Sequence, residues 1–124
     1  MPNDLAGNFF NVDYDNGARI HSNSWGANVN AYTTSTVGTD QAMYDMDDLV
    51  ILFAAGNSGN AQLTPSIGAP ATCKNCITVG ATENDNSQAI EGDGQMAAFS
   101  SVGLGTGGRI KPDLVAPGHA VTSA

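Results

Sequence analysis

The sequence predicts an α/β fold built around a parallel sheet. Two continuous apolar runs, at residues 49–55 and 76–81, are typical of strands that are buried on both faces. Helical apolar patterns alternate with strand candidates along the chain, and this alternation implies parallel pairing with helices packed on the sheet. The length of 124 residues suits one compact domain.

The elements are predicted in the order helix, strand, helix, strand, followed by further short strands. The apolar residues of segment 4–16 have a ragged helical spacing, and a short strand is expected at 18–24. A polar loop follows until Thr39, which offers an N-cap, and Asp40 favours the first turn of a helix that runs to residue 48. The next apolar run stops at a cluster of turn-forming residues, GNSGN. The remaining predictions are a polar loop at 83–94 and strands at 76–81, 97–102 and 114–116.

The composition argues against two classes of partner. The chain carries 12 acidic and 4 basic residues, which gives a net charge of -8. Such a surface repels a phosphate backbone, so nucleic acid is not expected as a partner. No apolar run approaches the roughly 20 residues that a membrane span needs, so no membrane partner is expected either. The first residues lack a basic segment followed by an apolar one, so no signal peptide is expected within this chain.

Cys73 and Cys76 are the two cysteines, in a C-x-x-C arrangement. They offer two of the four ligands of a structural zinc site, and neither His21 nor His119 has zinc-finger spacing from them. A redox pair needs a helix N-terminus, whereas the residues after Cys76 predict a strand. A structural pair is therefore favoured over a metal or redox centre. The sequence leaves open whether the two sulfurs are bonded.

Residues 103–108, GLGTGG, match the G-x-G-x-x-G pattern of dinucleotide-binding loops. That pattern needs a helix that begins at the glycines and an acidic residue about 20 positions later. Here Pro112 follows closely and blocks early helix growth. A flexible glycine-rich loop is the favoured interpretation.

Several motifs follow one another along the chain: NSWG at 23–26, AAGNSG at 54–59, SIGAPA at 66–71, ITVGA at 77–81, FSSVG at 99–103 and KPDLVAPG at 111–118. In this order they resemble the subtilisin-like serine proteases (subtilases), from Gly17 onwards. The stretches at 19–26 and 108–113 look most like the oxidation-stable alkaline protease branch. The resemblance implies a subtilisin-like three-layer sandwich with a doubly wound parallel sheet. Residues 1–124 would form one domain, an incomplete, central part of that catalytic domain.

The resemblance also implies roles for individual residues. Asn57 matches the oxyanion-hole asparagine, whose amide donates to the negative oxygen of the tetrahedral intermediate. A second group matches the substrate-binding residues of the family. Ser24, Trp25 and Gly26 match the segment that pairs with an extended substrate backbone. Ala54, Ala55 and Gly56 match one wall of the pocket that receives the side chain before the scissile bond, and Gly68 matches the floor of that pocket. In the family a smaller aliphatic residue often stands at the position of Trp25, so Trp25 is expected to narrow a neighbouring pocket.

A weak calcium or sodium site is implied by the same resemblance. Its ligands would be the Asp113 carboxylate and the backbone carbonyls of Ala71, Cys73 and Cys76, because hard cations favour oxygen ligands. The alternative for Asp113 is an ordinary solvated carboxylate. The bond between Ala69 and Pro70 matches a cis peptide of the family.

The three residues that break the peptide bond in subtilases have no counterpart among the matched motifs. The family's Asp and His motifs precede the matched region, and its G-T-S-M-A nucleophile motif follows it. Asp13 and Asp15 fit a helix end instead. His21 lies in a predicted strand and His119 in a loop, so both histidines are expected to be structural.

The expected function is therefore that of a fragment of a secreted serine endopeptidase, which hydrolyses extended polypeptides by acyl transfer and requires no cofactor. The fragment alone is expected to be inactive. An alternative is a catalytically inactive peptide-binding or scaffold domain with a protease-like fold. Because dividing a sheet exposes strand edges, self-association through those edges is also expected.

Overall fold

The structure is a computed structural model, and it describes residues 4, 6–59, 65–84 and 94–122. In chain order its elements are a π-helical turn (Ala6–Phe10), α1 (Asn11–Asp15), β1 (Ile20–Asn23), α2 (Thr34–Asp45), β2 (Val50–Ala54), β3 (Ile77–Thr82), β4 (Gly103–Gly105), β5 (Arg109–Lys111) and β6 (Leu114–Pro117). None of the helices in these ranges is both long and apolar enough to cross a membrane.

The main sheet has four strands in the order β1-β2-β3-β6, and every neighbouring pair is parallel. This arrangement confirms the predicted α/β fold with a parallel sheet and flanking helices. Asn23 at the end of β1 lies opposite Phe53 near the end of β2, so both strands stop at the same edge of the sheet. In open α/β sheets, ligands bind beyond the carboxyl ends of the strands, and the loops after β1 and β2 emerge there.

The core lies on one face of the sheet. Ile51 and Phe53 of β2 are almost fully buried, and they pack with Phe10, with Ala42 and Met46 of α2, and with the loop residue Ile67. The opposite face is open among the described residues, since Val50 is 37% exposed and Ala54 is exposed as well. The prediction that residues 49–55 are buried on both faces is therefore wrong for the described part of the chain.

Helix α2 begins five residues before the predicted N-cap. Its N-cap is Thr33, whose hydroxyl accepts from the Thr36 backbone at 3.4 Å, while the Thr36 hydroxyl accepts from the Thr33 backbone at 3.3 Å. The first turns contain β-branched residues and Gly38, which have low helix propensity. Tertiary packing outweighs that preference, because Thr36 and Thr39 are fully buried. The predicted loop at 25–38 is therefore wrong for its last residues.

Two further differences fall in the second half of the chain. Residues 97–102 form turns instead of a strand, with the Ser100 amide bonded to the Ala97 carbonyl at 2.8 Å. The glycine-rich segment after them forms the antiparallel hairpin of β4 and β5, which turns through Gly107 and Gly108 at positive φ. No helix opens at this G-x-G-x-x-G match, in agreement with its dismissal as a nucleotide loop. Most of the loop predicted at 83–94 lies outside the described residues.

Cys73 and Cys76 form a disulfide, with their Cα atoms 5.7 Å apart. Both side chains are buried in the core cluster. This agrees with the expectation of a structural pair, and it answers the question that the sequence left open. The turn that carries the disulfide leads directly into β3.

Candidate functional site

A cleft of about 300 Å³ opens beyond the carboxyl ends of β1 and β2. Every residue predicted to bind substrate or the oxyanion lies in it, together with three that were not predicted. The full lining consists of Ser24, Trp25, Gly26, Ala27, Asn28, Ala54, Ala55, Gly56, Asn57, Gly68 and Ala69. All of these residues are uncharged. The structure thus brings the predicted residues together, while their individual roles remain predictions.

One wall of the cleft is the segment after β1. The buried Asn23 donates from its amide to the Leu52 carbonyl at 3.1 Å, which ties this wall to β2. Its side-chain oxygen accepts the indole N–H of Trp25 at 3.1 Å. The Trp25 ring packs edge to face against the Phe53 ring, with the ring centroids 5.2 Å apart. It packs edge to face against the Phe9 ring as well, with the centroids 6.0 Å apart. Trp25 therefore anchors the wall to the core as well as lining the cleft.

The floor of the cleft is held by backbone contacts to both walls. Gly68 donates to the Ala55 carbonyl at 3.0 Å, and Ala27 donates to the Ala69 carbonyl at 2.9 Å. A Cβ atom on Gly68 would lie 2.7 Å from the Ala27 oxygen, and one on Gly26 would lie 2.8 Å from the Ala69 oxygen. Only glycine fits at these two close approaches. The bond between Ala69 and Pro70 is cis, as predicted.

The turn that carries Asn57 is fastened on both sides of that residue by Ser101. The Ser101 amide donates to the Gly56 carbonyl at 2.9 Å, and the Ser101 hydroxyl accepts from the Ser58 amide at 3.0 Å. Gly56 has a φ of +111°, and a Cβ atom there would lie 2.9 Å from the Ser101 hydroxyl. Ser101 belongs to the FSSVG motif, but no pattern in the sequence connects it with Asn57.

The Asn57 side chain is exposed at the mouth of the cleft. Within the described ranges, no protein group hydrogen-bonds its amide. A side-chain amide offers two N–H donors and one acceptor, so Asn57 is able to donate to an oxygen of a bound ligand. Because the cleft carries no charge of its own, such a donor acts on a developing anion without competition from a nearby cation or carboxylate.

Asn57 also borders a second cleft, of about 460 Å³, on the open face of the sheet. Apolar residues of three strands line it, including Leu52 of β2, Val79 of β3 and Ala116 of β6. Phe99, two residues before Ser101, contributes to its rim. Asn57 therefore stands between the first cleft and an uncovered region of the sheet.

Neither histidine contacts a serine hydroxyl in the described part of the chain. His21 is hydrogen-bonded through Nε2 to Asp13 at 2.8 Å, and its ring lies 5.0 Å from Phe10. His119 is hydrogen-bonded through Nδ1 to Glu83, and its ring packs edge to face against that of Phe99. The structural role expected for both residues stays a prediction. Asp13 and Asp15 lie in α1, as expected from the sequence.

Of the four residues predicted to bind a cation, Cys76 and Asp113 contact the ammonium group of Lys111, whereas Ala71 and Cys73 do not. Lys111 Nζ lies 2.6 Å from Asp113 Oδ2 and 3.1 Å from the Cys76 carbonyl oxygen. The Ala71 carbonyl accepts the Thr78 hydroxyl at 2.7 Å. The described residues include no group of three or more His, Cys, Asp or Glu that could hold a metal ion. Two of the predicted oxygen ligands therefore already contact a positive charge, that of Lys111.

A sequence profile of the subtilase family matches residues 4–124. The chain belongs to this family. It is 43% identical over 75 residues to the serine protease AprX of Bacillus subtilis strain 168, an alignment that covers 60% of this chain and 16% of AprX. It is also 29% identical over 181 aligned positions to the serine protease/ABC transporter B family protein tagB of Dictyostelium discoideum, covering 90% of this chain and 9% of tagB. The subtilase chain therefore spans less than a fifth of these relatives.

Solved structures agree with this assignment. The S41 psychrophilic protease superposes with a TM-score of 0.57 at 30% identity, over 80% of this chain and 31% of that protein. The prenylagaramide maturation protease PagA superposes with a TM-score of 0.58 at 22% identity, over 77% of this chain and 30% of PagA. At 22% identity, the similarity to PagA supports the fold assignment and nothing further. Both comparisons support the parallel sheet with flanking helices as a subtilisin-like fold.

Proposed function

We propose that this subtilase chain supplies the oxyanion-binding and substrate-binding part of a serine endopeptidase. The observation that carries the proposal is the position of Asn57. Its side-chain amide has no hydrogen-bond partner among the described residues. It lies at the mouth of the cleft that the other predicted substrate-binding residues line. In acyl transfer, a donor at this place stabilises the oxygen that becomes negative when the carbonyl is attacked.

The proposed substrate is a polypeptide in extended conformation. Residues 24–26 continue beyond β1 along one wall, where a substrate backbone would add as a further strand. The side chain before the scissile bond would enter the 300 Å³ cleft. Since the lining is uncharged and consists largely of glycine and alanine, we expect this side chain to be uncharged.

We propose further that the chain alone does not hydrolyse peptides. His21 and His119 are both engaged with carboxylates and ring edges in the described structure. A general base must lie within hydrogen-bonding reach of the nucleophile, and neither histidine has such a contact there. Secretion of the parent protein and its membership of the oxidation-stable alkaline protease branch remain predictions from the sequence resemblance.

Product binding tests the role of Asn57 without requiring catalysis. A peptide that ends in a free carboxylate places an anionic oxygen where the oxyanion would form, whereas the same peptide ending in a carboxamide does not. We expect Asn57→Ala to weaken binding of the carboxylate peptide by about 10- to 100-fold, the range for one hydrogen bond to a charged group. Calorimetric titration would measure both peptides against both proteins.

Asn28→Ala is the matched control, since Asn28 lines the same cleft and also carries an amide. We expect that substitution to affect the two peptides equally. The oxyanion role of Asn57 is contradicted if Asn57→Ala weakens the carboxylate and carboxamide peptides by the same factor.

The alternative function is an inactive peptide-binding or scaffold domain, favoured because neither histidine is hydrogen-bonded to a serine hydroxyl among the described residues. Activity of the whole protein separates the two functions. If it is a protease, Asn57→Ala lowers kcat by about 10²- to 10³-fold, the loss typical for one oxyanion-hole donor. A whole protein that binds the carboxylate peptide but cleaves no peptide bond would support the scaffold.

A further inference from the structure

The chain has four lysine and arginine residues in all, and two of them reach from β5 to one turn. This turn, residues 70–76, carries the disulfide and follows the floor of the 300 Å³ cleft. Arg109 Nη2 donates to the Thr72 carbonyl at 2.8 Å, and Lys111 Nζ donates to the Cys76 carbonyl at 3.1 Å. Half of the positive charge of a strongly acidic chain is therefore directed at the carbonyls of a single turn.

Lys111 is the more deeply placed of the two cations. Its side chain is 3% exposed, and its ammonium group also contacts Asp113 Oδ2 at 2.6 Å. That carboxylate is fixed in turn, because Oδ2 accepts the Thr78 amide at 2.7 Å while the Asp113 amide donates to the Thr78 carbonyl at 2.9 Å. The ammonium thus joins the turn before β3 to the residue that directly precedes β6.

A buried ammonium is costly unless oxygen atoms replace its water. The oxygen atoms here are a carboxylate and a backbone carbonyl, the ligand types that hard cations such as Na⁺, K⁺ and Ca²⁺ also prefer. They belong to Asp113 and Cys76, two of the residues whose oxygens the family resemblance implies as cation ligands. Because both of these oxygens already contact the ammonium, a metal ion bound by both of them would have to displace it.

We propose that the Lys111 ammonium takes the place of the metal cation implied by the family resemblance. The positive charge at this turn is then part of the chain, so its stability does not depend on a bound cation. Removal of the ammonium would leave Asp113 and the Cys76 carbonyl without a cation, and this would convert the position into a metal-ion site. The proposal does not depend on the proteolytic function.

The test compares thermal unfolding of the wild-type chain and Lys111→Met in KCl, NaCl, CaCl₂ and choline chloride at equal ionic strength. Methionine preserves most of the aliphatic side chain and removes the charge. We expect the wild-type Tm to be equal in the four salts. For Lys111→Met we expect a lower Tm in choline and a saturable rise of about 4 °C or more with at least one metal ion.

Arg19→Met is the matched control. This variant also loses an ion pair, between Arg19 and Asp48 at 2.7 Å, but these side chains are 43% and 57% exposed, whereas that of Lys111 is 3% exposed. We expect it to respond to the four salts as the wild type does. The proposal is overturned if Lys111→Met gains no more from metal ions than Arg19→Met.

A second measurement covers the case in which Lys111→Met does not fold. The wild type is compared with Asp113→Asn, which removes the carboxylate from the position. If the wild type already has a cation-specific rise in Tm that Asp113→Asn abolishes, a metal ion binds beside Lys111 and the proposal is wrong. Equal responses of the two proteins support it.

Discussion

Asn57 owes its position to a residue more than forty positions away in the chain. Ser101 is fully buried, and it bonds the carbonyl before Asn57 and the amide after it. Because Gly56 has a positive φ, the turn has no intrinsic preference that would fix it once these bonds are lost. Ser101 is thus a positioning residue for the amide of Asn57, and it acts through the backbone on both sides.

We expect Ser101→Ala to weaken binding of the carboxylate peptide by about 3- to 10-fold, because one bond to the turn is lost and the other is kept. The matched control is Ser100→Ala. Ser100 is also buried, but its hydroxyl accepts from the Ala81 amide of β3 at 2.9 Å and holds no part of the Asn57 turn. Calorimetric titration should give near wild-type affinity for Ser100→Ala. Equal losses in both variants would show that Ser101 has only a general structural role.

The residues of the site were predictable to different extents. NSWG and AAGNSG place the walls of the cleft and Asn57 after two strands, and the parallel register brings those strand ends together. Ser101 and Lys111 were not predictable in this way. Their effect depends on which backbone atoms a distant loop and a hairpin place beside them, and no local pattern encodes that placement.

At the scale of elements, α2 is fastened to the rest of the molecule through Asp40. Asp40 is buried, and its carboxylate accepts from the backbone amides of Lys74 and Asn75 and from the hydroxyl of Tyr32. It therefore joins the helix to the disulfide turn and to the loop before the helix. Helix propensity favours a start of α2 at Thr39 and Asp40, and that prediction is wrong. The helix starts earlier because buried contacts of Thr36 stabilise the additional turn.

The bond between Tyr32 and Asp40 has a consequence at alkaline pH. The hydrogen bond to Asp40 and, next, burial raise the pKa of Tyr32 to about 12, because both disfavour the phenolate. A folded-state pKa above the unfolded one stabilises the fold below the unfolded pKa, which is about 10 for tyrosine. That contribution is lost as the pH rises from about 10 to about 12.

Absorbance of the phenolate should therefore have a titration step near pH 12, provided that the fold is intact. We expect this step to disappear in Tyr32→Phe and to persist in Tyr44→Phe, where the replaced ring is 79% exposed. If Tyr32→Phe loses the absorbance of one phenolate but still has the titration step at the highest pH, that step belongs to another tyrosine.

At the scale of the whole molecule, the described part of the chain has a sheet whose central strands β2 and β3 are covered on one face only. Register places Ile20, Val50 and Leu114 on the opposite face, where they are 71%, 37% and 46% exposed. Strands β1 and β6 form the two edges of the sheet. The sequence predicted parallel strands, but the exposure of one face could not be read from apolar runs, because a run has the same composition whether or not a layer covers it.

Unpaired strand edges beside an exposed apolar face favour pairing between copies of a chain. We therefore expect the 124-residue chain to self-associate at micromolar concentration, with a weight-average mass in sedimentation equilibrium that rises with concentration. Ile20→Lys places a charge on the β1 edge, which should shift the equilibrium towards the monomer. Ile110→Lys is the matched control, because Ile110 is 80% exposed but lies on the β4–β5 hairpin, away from the main sheet. If both substitutions shift the equilibrium towards the monomer equally, general surface hydrophobicity drives the association. If the wild-type chain is a monomer at every concentration, the open face and the strand edges do not pair at all.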